Sequence, residues 1–100
     1  MAQIKVITTG FTNGISELNN LNAQFKARVT AMAETETALN GMWEGEARTA
    51  FHNAFWTDKA QMDNFYEAIR TYAEILQQIL TLYKQMESVN VETATVRTYR

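Results

Sequence analysis

The chain has 100 residues, 46% of them hydrophobic, a formal net charge of -2, no cysteine and no proline. That content suits one folded domain rather than a disordered tail, and the missing cysteines exclude disulfides and thiol chemistry. Charges of both signs are spread along the chain without a basic stripe, so a nucleic-acid partner is not expected.

The opening MAQIKVITTGF is too short and too interrupted for the apolar core of a signal peptide. No run reaches the roughly 18 apolar residues of a membrane span. Four glycines, at 10, 14, 41 and 45, read as punctuation before and after a first helix. That helix is expected over about 13–40. Leu18, Phe25, Met32 and Leu39 form one column at seven-residue spacing, flanked by Ile15, Leu21 and Val29. Thr12 or Asn13 is a suitable cap, and Asn40-Gly41 a suitable left-handed stop.

After a turn at 41–45, the second helix is expected over about 46–87. Phe55, Met62, Ile69, Leu76 and Tyr83 make one seven-spaced column; Phe51, Asp58, Phe65, Tyr72, Ile79 and Met86 make the next. Steps of three and four give a coiled-coil-like seam. A rod of roughly 60 Å needs partners along such a seam. The polar, Thr-rich segment 88–100 is expected to be a flexible tail.

A short break between two helices predicts an antiparallel hairpin, and the fold class is all-α. Folding at 41–45 sets Met32 near Phe55, Phe25 near Met62 and Leu18 near Phe65, and brings Asp58 opposite Arg28 as an expected ion pair. On this register the first helix covers the second only to about Tyr72. Two layers also leave one side of each seam wet, so two hairpins are expected to dimerise into a four-helix bundle.

Little here points to catalysis. His52, the one histidine, has no carboxylate at i+3 or i+4 spacing, and neither a Ser-His-Asp set nor a phosphate-cradling loop is present. No enzyme activity, metal or cofactor is expected. Trp56 points away from the seam on a helical wheel, as a lone exposed aromatic or as a second contact surface. Tyr66 reads as rim packing.

Trp43-Glu44-Gly45 at mid-chain, a helix on each side, and Tyr83 followed four residues later by Glu87 give the chain its likeness. It resembles the WXG100 family of small proteins exported by type VII (ESX) secretion systems. The resemblance spans essentially the whole chain. It implies a hairpin that pairs antiparallel with a second copy or a sibling WXG protein, exported folded after cytoplasmic assembly and without a cleaved signal peptide. It also implies an export signal built from Trp43 and Gly45 of one chain with Tyr83 and Glu87 of the other, read by the secretion ATPase and membrane machinery. Trp43 also reads as a cover for the hairpin core, Gly45 as a structural helix start, and Glu87 as a solvated helix-end acid. Three roles follow: a secreted dimeric substrate or co-secretion partner, a helper escorting a larger helical-domain toxin, or a membrane-active effector. The last is disfavoured by the lack of a basic polar face.

Overall fold

The computed structural model describes the backbone of residues 2–98 and the side chains of residues 5–86. Two helices, α1 (Ala2–Asn40) and α2 (Glu46–Thr98), make up the regular structure of the described residues. They pack against each other as a hairpin in two units. A tip unit comprises Asn20–Arg70, and a terminal unit comprises Met1–Asn19 with Thr71–Arg100.

Both helices are longer than their sequence signals suggest. Gly10 and Gly14 lie inside α1 and do not precede it. Each glycine costs the helix about 1 kcal/mol relative to alanine, and packing in the terminal unit outweighs that. Thr8 and Ile15 of α1 are buried there, as are Ala73 and Leu80 of α2. The rings of Phe11 and Tyr83 stack at 5.7 Å. Thr12 does not cap the helix; its hydroxyl donates to the Thr8 carbonyl at 2.9 Å. Leu76, Leu80 and Tyr83 therefore do not overhang a short first helix. At the other end α2 runs on to Thr98, so 88–98 is helical. No glycine or proline follows Gly45 to stop it, and each added residue of a formed helix gains a backbone hydrogen bond.

In the tip unit the inner stripe of α1 is Asn22, Val29 and Glu36, joined by Ala33. The expected column fares differently: Phe25 and Leu18 are half-buried at the edge, whereas Met32 and Leu39 are exposed. On α2 the column of Phe55, Met62, Ile69 and Leu76 faces inward and is half-buried, and Ile79 is half-buried too. Its partner column is His52, Lys59 and Tyr66, not Phe51, Asp58 and Phe65, which are exposed, as is Tyr72. Asn22 meets Tyr66 and Glu36 meets His52, and Met32 and Phe55 line one groove, close to the register expected; what differs is which side chains are most buried between the helices.

The expected Arg28–Asp58 pair is not among the ion pairs of the described residues. Both side chains are exposed.

Candidate interaction surface

The turn between the helices is set by backbone chemistry. Gly41 N–H donates to the Thr37 carbonyl at 3.3 Å and Met42 N–H to the Leu39 carbonyl at 3.0 Å. These satisfy part of the carbonyl end of α1 without the left-handed stop expected at Asn40-Gly41. The left-handed residue is Gly45, with φ of +107°. Its carbonyl accepts the Thr49 N–H at 3.3 Å, which makes it the cap of α2. A β-carbon added at Gly45 would meet nothing within 4 Å. Glycine is required here for its φ and not for lack of space. Glu46 then occupies the first turn, where the helix dipole favours an acid.

Trp43 stands on this turn, 40% exposed. Its ring packs edge-on against Phe51 at 6.3 Å, and its carbonyl accepts from Arg48 Nη1 at 3.4 Å. The tryptophan therefore both covers the tip and presents a free ring face. Tyr83 belongs to the terminal unit, half-buried against Phe11. The Glu87 side chain lies outside the described residues. Within one chain Trp43 and Tyr83 thus belong to separate units.

The tip unit carries an open groove of about 430 Å³ between α1 and α2, lined by Met32, Leu39, Phe51 and Phe55 together with Arg28 and Glu36. Leu21 and Phe65 are also exposed. Separately, Tyr72, Ile75, Leu82 and Met86 are exposed in the terminal unit. Among the described residues no large side chain is fully buried.

One polar cluster escaped sequence reading. The Glu36 carboxylate is 3% exposed. Its Oε1 lies 2.6 Å from His52 Nδ1, and its Oε2 accepts from Trp56 Nε1 at 2.9 Å. Trp56 is therefore not a free-standing surface ring: one edge is tied to Glu36, and the Lys59 ammonium lies 5.3 Å from its ring centre. The carboxylate beside His52 comes from α1 and not from the neighbouring turns of α2, so local spacing does not reveal it. The usable signal was a charged residue seven positions after Val29, on the inner stripe. A second polar contact joins Asn22 Nδ2 to the Tyr66 carbonyl at 3.1 Å, and Lys26 Nζ sits 4.6 Å from the Tyr66 ring centre.

Among the described residues there is no cluster of metal-ligating side chains. No helix of the described residues is long and apolar enough to cross a membrane. Among known proteins, the family model WXG100, described as proteins of 100 residues with WXG, matches residues 3–88. No curated protein and no solved structure matches.

Proposed function

From the premise that this chain belongs to the WXG100 family, whose members are small, non-enzymatic proteins secreted by type VII systems, we propose that it is a dimeric substrate or co-secretion partner of such a system. It acts by protein–protein binding, pairing with a second copy of itself or a sibling. The exposed aromatic face carries this reading. Phe51 is 48% exposed and Phe65 56% exposed, although each occupies the apolar seam column of a long helix. Rows of exposed rings are rare on monomers and usual at interfaces. With no large side chain fully buried among the described residues, much apolar surface remains for a partner to cover.

The export signal in this reading is shared. Trp43 and Gly45 sit at one chain's turn, and Tyr83 and Glu87 of the partner subunit supply the other half for the secretion ATPase and membrane machinery. Light-scattering mass at several concentrations tests the pairing, with a stable dimer expected. A monomer throughout, alone and with any sibling protein, would refute it. For the signal, Tyr83→Ala and Glu87→Ala are expected to block export at unchanged helicity and mass; normal export of both would remove the assignment.

A further inference from the structure

Each helix of the tip unit carries exposed apolar side chains beside those that face the other helix: Leu21, Met32 and Leu39 on α1 and Phe51 and Phe65 on α2, with the Phe65 ring 5.6 Å from that of Phe25. If the inward and the exposed surfaces were uniformly apolar, α1 would pack equally well on its own α2 or on that of another copy, and registers one heptad apart would compete. Two buried polar residues break that degeneracy. Asn22 is 6% exposed and Glu36 3% exposed, and both lie on the inner stripe with Val29 between them.

We propose that Asn22 and Glu36 determine the specificity of helix pairing, making α1 select its own α2 in one register so that helices do not exchange between copies. The inference rests on the reading that copies of the chain pair through the outer face. Asn22 Nδ2 donates to the Tyr66 carbonyl at 3.1 Å. Glu36 needs two donors on the same side of α2 one turn apart, and His52 and Trp56 supply them at 2.6 and 2.9 Å. Among the described residues no lysine or arginine forms an ion pair with Glu36, so in a slipped or exchanged arrangement its carboxylate would be buried without these donors. Leaving a buried carboxylate unpaired is strongly unfavourable. A polar residue at a single seam position fixes register and partner at some expense of stability, and replacing buried charged groups by apolar ones is often neutral or stabilising.

The open groove of the tip unit is lined by Met32, Leu39, Phe51 and Phe55 together with Arg28 and Glu36, so Glu36 lies where the buried stripe meets the exposed apolar surface.

The test compares the full chain with Asn22→Leu/Glu36→Leu and with Glu36→Leu alone. Wild type is expected to give one species by light scattering and native mass spectrometry, with a single sharp thermal transition. The double variant is expected to stay helical, to melt no lower than wild type, and to split into several masses as helices pair across copies. Glu36→Leu alone should show the same change to a smaller extent. A double variant with one mass equal to that of wild type would overturn the proposal. So would loss of helicity at room temperature, since the polar contacts would then hold the seam together and not select it. A wild-type chain that stays monomeric at every concentration would instead strike at the pairing reading itself.

Discussion

Gly45 is a sharp place to test how the turn is built. Its φ of +107° lies where side chains of L-residues are strained, yet a β-carbon there would touch nothing within 4 Å. Any loss in Gly45→Ala is therefore conformational and not steric. A non-glycine residue in left-handed conformation costs about 1–2 kcal/mol, and up to ~3 kcal/mol in sparsely populated regions. Gly10 provides the control. It too has open space around a built β-carbon, but it sits inside α1, where alanine gains about 1 kcal/mol. The two substitutions add the same methyl group and should act in opposite directions. For a domain of this size each kcal/mol moves the melting temperature by about 4–8 °C. Thermal unfolding followed by circular dichroism at matched protein concentration reads both. Equal melting temperatures for Gly45→Ala and wild type would refute the backbone account of the turn, and a lower one for Gly10→Ala would refute the helical account of the first residues.

Leu80 is 2% exposed and Leu82 57% exposed, so Leu80→Ala should cost about 2–5 kcal/mol in chemical denaturation, with Leu82→Ala far milder. Phe65→Glu, at an exposed ring in the tip unit, should lower the mass seen by light scattering to that of a monomer at micromolar concentration; an unchanged mass would place the pairing surface elsewhere. Asp63→Ala removes the Lys59–Asp63 contact at 2.8 Å, an i,i+4 pair whose loss should cost no more than about 0.5 kcal/mol in low salt and fade as salt is added.

Sequence periodicity was enough to establish two helices, a break at 41–45 and the inward column of Phe55, Met62 and Ile69, because a seven-residue repeat of apolar side chains belongs to helices alone. The Trp43–Gly45 turn was legible as spacing, and with it the family. Where the helices start and stop was not. Gly10 and Gly14 look like breaks until α2 is present to pack on Thr8, Phe11 and Ile15, and no local signal carries that information. Nor could periodicity say which of two apolar sides of each helix faces inward. That choice depends on interhelical distance and on hydrogen bonds between residues far apart in the chain. Tertiary packing resolved it in favour of Asn22, Val29 and Glu36, with Tyr66, His52 and Trp56 as partners. The rings at Phe51 and Phe65 stay about half exposed at the border of that seam, Phe65 edge-on against Phe25 of α1.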